Sequence, residues 1–287
     1  MPTLESLDLS SVVPPLPLGS TSYTMHAPAA TLPNLRKFSL SDHALKCAVA
    51  INHICIPSTA GQEVACTGDN NSERSSEVMI PWFTSVLGDS PPVRVLQIED
   101  WTDGFSISWD SFRANDDDSE DECQCNFYFH DSVDRSITQL KAFCDALPLE
   151  NLEKLSCEFS EDSSWSLPDW SAFFSGCRSL RHLRVAHTYP IGLRDASNNR
   201  LEEHAGRLYP FLKTLTFVYM NLESRPDSEE LCRNLAPSQK ISLKDCVVDE
   251  AAVNMLREEG IVVVVEDEVS SDEGSESDAL SGANASG

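Results

Sequence analysis

The side chains able to do chemistry in this chain are seven histidines, ten cysteines and a large surplus of carboxylates. The histidines stand at positions 26, 43, 53, 130, 182, 187 and 204, with no recurring spacing and no His-Glu-x-x-His motif. A Gly-rich phosphate loop and a nucleophile elbow are missing as well, so the pattern points to a chain that is not an enzyme and uses no cofactor. Cys123 and Cys125 beside His130 would offer a metal two thiolates and one imidazole, one ligand short of a closed tetrahedral site. There is no Cys-x-x-Cys pair, and several cysteines fall inside apolar patterns, so they read as small buried residues kept reduced rather than as metal ligands. His182 and His187, five apart across a strand end, read as surface groups.

The carboxylates exclude more than they assign. With 46 Asp and Glu against 21 Lys and Arg the formal charge is −25, which repels phosphate backbones and anionic headgroups and argues against nucleic acid or a membrane as partner. Two runs concentrate the charge: residues 116–122 carry six carboxylates and residues 266–278 carry seven. Ser119, Ser270 and Ser275 each have a carboxylate three residues on, the pattern that acidophilic kinases of the casein type accept. From residue 266 to 287 the apolar mass needed to offset ordering entropy is lacking, and a disordered acidic tail is expected. Met1 to Pro17 contain Glu5, Asp8 and four prolines without a basic start or an unbroken apolar core, so no export signal is read and a cytoplasmic or nuclear location is expected. No run of eighteen apolar residues is present.

The elements that position these residues come from a repeat. The pattern L-x-x-L-x-L recurs as Leu4, Leu7, Leu9, then Leu35, Phe38, Leu40, then Ile51, Ile54, Ile56, then Val93, Leu96, Ile98. It continues with Leu152, Leu155, Cys157, then Leu180, Leu183, Val185, then Leu212, Leu215, Phe217, and a weaker copy has Ser238 before Ile241 and Leu243. In each copy the last two apolar residues are two apart and share one face of a short strand. From Leu152 the steps are close to the range of about 20 to 29 residues for leucine-rich repeats. Helical spacing fills the gaps, as in Ile137, Leu140, Phe143 and Leu147, in Trp170, Phe173 and Phe174, and in Leu231 and Leu235.

The expected fold is α/β: over residues 1–265 an irregular leucine-rich-repeat solenoid, with a parallel concave sheet and convex helices. Residues 58–77 read as a loop insertion. Residues 105–131 read as an acidic hairpin, because Phe105-Ser-Ile107-Ser-Trp109 and Cys125-Asn-Phe127-Tyr-Phe129 alternate on either side of the charged run. A solenoid also needs a polar cap over its terminal repeat. Leu4 already belongs to a core strand, so a further N-terminal module or a partner is expected to cover that end.

Positions between the buried ones line the concave face, where such folds meet partners. They include Ser6, Asp8, Lys37, Ser39, His53, Cys55, Val95, Gln97, Glu99, Lys154, Ser156, Glu158, His182, Arg184, Thr214, Thr216, Lys240, Ser242 and Lys244. Five are Lys or Arg and three are Asp or Glu, so this face is less acidic than the chain around it. The reading is a protein-binding surface for an acidic or phosphorylated peptide, with Lys37, Lys154, His182, Arg184, Lys240 and Lys244 as candidate contacts.

Two stretches carry a family resemblance. Ile241-Ser-Leu243-Lys-Asp-Cys246-Val-Val-Asp249, followed by an apolar helical pattern ending at Gly260, resembles the cysteine-containing leucine-rich repeat of F-box proteins. Cys177-Arg-Ser-Leu180-Arg-His-Leu183-Arg-Val185 looks like that family's other common form. Met1-Pro-Thr-Leu4-Glu-Ser-Leu7-Asp-Leu9 and Leu32-Pro-Asn-Leu35-Arg-Lys-Phe38-Ser-Leu40 are similar to repeats of fungal F-box-like proteins. The resemblance covers roughly residues 1–265 and implies a substrate-recognition module of an SCF-type ubiquitin ligase. The F-box helices that dock the ligase adaptor have no counterpart in the sequence, so contact with ligase subunits would need an F-box supplied elsewhere. The alternative from composition is an acidic leucine-rich protein that holds histones or other basic proteins.

Overall fold

Alternating apolar residues make strands whose one face must be covered, and in this chain they make a single large sheet. The computed structural model describes residues 3–11, 30–68, 79–85, 92–110, 124–131, 133–160, 165–187, 212–220, 240–248, 250–258 and 260–266. Its strands are β1 (Ser6–Ser10), β2 (Ala30–Thr31), β3 (Lys37–His43), β4 (Ile54–Cys55), β5 (Gly61–Thr67), β6 (Val95–Trp101), β7 (Gly104–Asp110), β8 (Gln124–His130), β9 (Lys154–Phe159), β10 (His182–Ala186), β11 (Thr214–Val218), β12 (Lys240–Lys244) and β13 (Val262–Glu266). Eleven of them form one sheet in the order β1-β3-β5-β8-β7-β6-β9-β10-β11-β12-β13, and β2 pairs with β4 separately. Among the described residues of the large sheet, only the β6–β7 and β7–β8 pairings are antiparallel.

From β9 onward the register repeats without a slip. Leu155, Leu183, Leu215, Ile241 and Val263 form one row across five parallel strands, and Cys157, Val185, Phe217, Leu243 and Val265 form the next. A one-residue shift would turn every one of these side chains to the other face, which pins the pairing. The connections repeat too. Where the strands begin, the N–H groups of Arg181 and His182 both donate to the Glu153 carbonyl, and those of Lys213 and Thr214 to the Arg181 carbonyl. Just past the strand ends, His187, Tyr219 and Asp245 have φ of 64°, 53° and 51°. Their N–H groups donate to the carbonyls of Val218, Lys244 and Glu266 on the neighbouring strand. Ser11, with φ of 55°, does the same toward Ser41.

Helices α1 (Ala44–Asn52), α2 (residues 79–85), α3 (Val133–Asp145), α4 (Leu167–Gly176) and α5 (Glu250–Glu258) cover one face. Phe83 of α2 and Phe143 of α3 pack their rings 5.1 Å apart, and Phe143 lies 4.6 Å from Phe127 of β8. A second aromatic group joins Phe159, Trp165 and Trp170, with Trp170 stacked on Phe174 at 5.5 Å. Asp169, in the first turn of α4, accepts from the Ser166 N–H at 2.8 Å and pairs with Lys141 of α3, also at 2.8 Å. Burial alone would raise its pKa, but Lys141 and Ser166 together outweigh that and hold it below the usual carboxylate value. Asp169→Ala removes both the cap and the tie between helices and is expected to cost about 1 kcal/mol, read as a lower denaturant midpoint.

Three sequence expectations are corrected. The third repeat copy, Ile51, Ile54 and Ile56, is not a strand of the sheet: Ile51 closes the stripe Ala44, Cys47, Ala48, Ile51 on one face of α1, and Ile54 lies in β4. The spacing three, four and seven residues on is that of a buried helix, and it overrides the shorter strand-like match. Residues 58–77 are not simply a loop insertion, because β5 runs through them between β3 and β8. Its inward residues are Gln62, Val64 and Cys66, and a glutamine in the first slot breaks the apolar alternation. Third, the strand β13 takes in Glu266, the first residue assigned to the tail. The expected hairpin strands, β7 and β8, do pair antiparallel. Its tip at 111–123, the helical pattern around Leu231 and the tail beyond 266 lie outside the described residues.

Candidate functional site

Strand alternation leaves the face opposite the helices to polar side chains, and the register arranges them in rows. The first row runs Ser6, Lys37 and Gly61 on β1, β3 and β5, then Asp110 and Val95 on β7 and β6, then Lys154, His182, Thr214, Lys240 and Val262 on β9 to β13. The second row carries Asp8, Ser39, Glu63, Asn126, Ser108, Gln97, Ser156, Arg184, Thr216, Ser242 and Val264. The third includes Tyr128, Glu99, Glu158, Lys244 and Glu266.

These rows revise the charge balance. Three acids that the repeat did not assign to this face, Glu63, Asp110 and Glu266, join it through β5, β7 and β13. Among the described residues the surface therefore holds five Lys or Arg and six Asp or Glu, and it is not net basic. It is divided instead. Strands β1 to β8 contribute Asp8, Glu63, Glu99 and Asp110 against Lys37, while β9 to β13 contribute Lys154, Arg184, Lys240 and Lys244 against Glu158 and Glu266. In the acidic half, burial, Glu63 and Glu99 raise the Tyr128 pKa.

Among the six candidates, Lys154, His182 and Lys240 come together along the edge where β9, β10 and β12 begin, with Thr214 between the last two. At a strand spacing of about 4.8 Å this segment is roughly 14 Å long. Lys37 is separated from it by β5, β8, β7 and β6. Lys244 stands at the far end of β12, beside Glu266. Arg184 is already engaged: its guanidinium donates to the Ser156 hydroxyl at 3.0 Å and lies 3.6 Å from Glu158. The same carboxylate is 3.2 Å from His187, whose ring stacks on the exposed Tyr219 at 5.1 Å.

The sequence reading missed two cations, Arg181 and Lys213, which precede β10 and β11 by one residue. A signal was present, since the residue before the strand is basic in four copies, at Arg36, Arg94, Arg181 and Lys213. All four are exposed, and Arg94 pairs with Glu153 at 3.6 Å. Among the described residues no ion pair engages Lys154, Arg181, Lys213 or Lys240. The first three act on His182, which also bonds Thr214 Oγ1 through Nδ1 at 2.7 Å. Partial burial first, then Lys154, Lys213 and Arg181, lower its pKa from 6.5, with Glu153 opposing.

That shift has a definite sign. The unfolded chain takes up the His182 proton more readily than the folded one, so the contribution to stability is intact above about pH 6.5 and lost as pH falls through the folded value. An anion seated on this edge would reverse the effect and draw a proton onto the ring. Binding of an acidic ligand is therefore expected to tighten between pH 8 and pH 6, and His182→Gln should flatten that dependence in a titration series.

The remaining sites separate. His53 and Cys55 belong to the end of α1 and to β4, outside the large sheet. Cys125 faces the core while His130, five residues on, is exposed on the other side of β8. Cys123, Ser119, Ser270 and Ser275 lie outside the described residues. Among the described residues no group of three or more His, Cys, Asp or Glu is arranged to hold a metal, and no helix is long and apolar enough to cross a membrane. Six of the described cysteines are buried and all eight are free. Comparison of the chain with known protein families and with curated protein sequences finds no match.

Proposed function

We propose that this chain is a non-enzymatic protein-binding module, a leucine-rich-repeat solenoid whose concave face receives an acidic or phosphorylated peptide. The observation that carries the reading is the basic edge at Lys154, Arg181, Lys213 and Lys240 around His182, which no ion pair engages among the described residues, in a chain of net charge −25. Lysine and arginine side chains there can form charge-assisted hydrogen bonds to carboxylate or phosphate oxygens. The unbroken register from β9 to β13 and the repeated turns after β10, β11 and β12 support the solenoid.

Placed in the cytoplasm or nucleus, the module would select substrates for an SCF-type ubiquitin ligase, with the F-box supplied elsewhere. This part rests on the resemblance of its repeats. Reconstitution with purified adaptor and cullin subunits tests it: a complex that forms only when an F-box protein is added supports the role. The acidic half of the face, at Asp8, Glu63, Glu99 and Asp110, favours a second reading in which histones or other basic proteins are held. Titration of the whole chain with a phosphoserine peptide and with a histone-tail peptide separates the two. Tighter binding of the phosphoserine peptide is the expected result, and preference for the basic one would overturn it.

A further inference from the structure

We infer that the basic edge of β9 to β12 is occupied by the chain's own acidic tail, residues 267–278, which an external ligand must displace. The inference rests on the reading of this face as a surface for acidic peptides. Lys154, Arg181 and Lys213 surround His182 and stand without an ion pair among the described residues. Unpaired like charges at this density repel one another, and an anionic segment relieves them.

The tail is the nearest such segment in the sequence. It follows β13, whose last residue is Glu266, and carries Asp267, Glu268, Asp272, Glu273, Glu276 and Asp278. It starts at the end of the sheet where Lys244 stands beside Glu266 and where Arg184 and His187 already engage Glu158. The path from the end of β13 to the start of β10 crosses three strand spacings and one strand length, a diagonal of roughly 22 Å or about seven extended residues. Glu273, Glu276 and Asp278 then fall at the basic edge. Phosphate on Ser275, flanked by Glu273 and Glu276, would strengthen the docking.

Zero-length carbodiimide coupling of carboxylates to lysines in the whole chain tests this, with the linked peptides mapped by mass spectrometry. The expected result is coupling of tail carboxylates to Lys154, Lys213 or Lys240 within monomers, at a yield unchanged by dilution. Coupling spread evenly over Lys37, Lys46 and Lys141 as well, or found only in covalent dimers, would overturn the inference, the second result assigning the edge to a neighbouring copy's tail. A second measurement uses the whole chain carrying Asp272→Asn, Glu273→Gln, Glu276→Gln and Asp278→Asn, with a labelled peptide of residues 267–278 as probe. This variant should bind the probe at least tenfold more tightly than the unaltered chain, and equal affinity counts against tail docking. A phosphoserine peptide that binds both chains equally removes the tail while leaving the proposed function standing. Failure of that peptide to bind either chain while the tail still couples to the edge strikes the proposed function alone.

Discussion

Phe127→Ala is expected to lower the unfolding free energy by about 3 to 5 kcal/mol, the range for truncating a fully buried phenylalanine. Phe127 is 0% exposed, with ring centroids 4.6 Å from Phe143, 6.1 Å from Phe105 and 6.3 Å from Phe83. These rings come from β8, α3, β7 and α2, so the cavity would open where the antiparallel strands meet the helices that cover them. The surrounding rings are held by their own backbones and cannot collapse fully into the void. A domain of this kind has roughly 5 to 15 kcal/mol in total, and the loss is a large share of it. Phe127→Leu keeps most of the volume and should cost less than about 1.5 kcal/mol. Urea unfolding of both variants gives the comparison, and near-equal midpoints would show that Phe127 does not sit at this junction.

Reversing two charges at the basic edge should have the largest effect on binding. Lys154→Glu with Lys213→Glu is expected to weaken a phosphoserine peptide roughly ten- to hundredfold, since each change removes an attraction of up to about 1 kcal/mol and adds a comparable repulsion. The affinity should also fall steeply with added salt in the unaltered chain and much less in the variant. Both lysines are exposed and engaged in no ion pair among the described residues, so the fold should change in stability by no more than about 0.5 kcal/mol. Lys37→Glu is the control. It lies across four intervening strands from β9 and should leave the affinity within about twofold. A loss at Lys37 equal to that at Lys154 and Lys213 would mean that the whole face, rather than one edge, holds the ligand.

Arg184 shows why residue type alone ranked the candidates poorly. On the sequence it stands beside His182 as an equal contact. In the fold it faces Glu158 and Ser156, so a ligand must compete with an existing pair. Arg181 and Lys213, by contrast, fall one residue before the alternating pattern, and a reading built on that pattern alone passes over them. Their position just ahead of β10 and β11 places them around His182.

The sequence by itself determined the strands from Leu152 to Leu243 and the face each side chain takes, because a period of two is written residue by residue and each copy repeats it. It also determined the strands of the hairpin at 105–131. Only the tertiary structure decided that α1 absorbs Ile51, that β5 enters the sheet with a buried Gln62, and that β8 rather than β6 sits beside β5. Strand order and cross-strand neighbours depend on contacts between residues far apart in the chain, which no local pattern encodes. The charge of the open face is a property of that order: Glu63, Asp110 and Glu266 reach it only because their strands pair where they do, and the basic edge becomes distinct from the acidic half for the same reason.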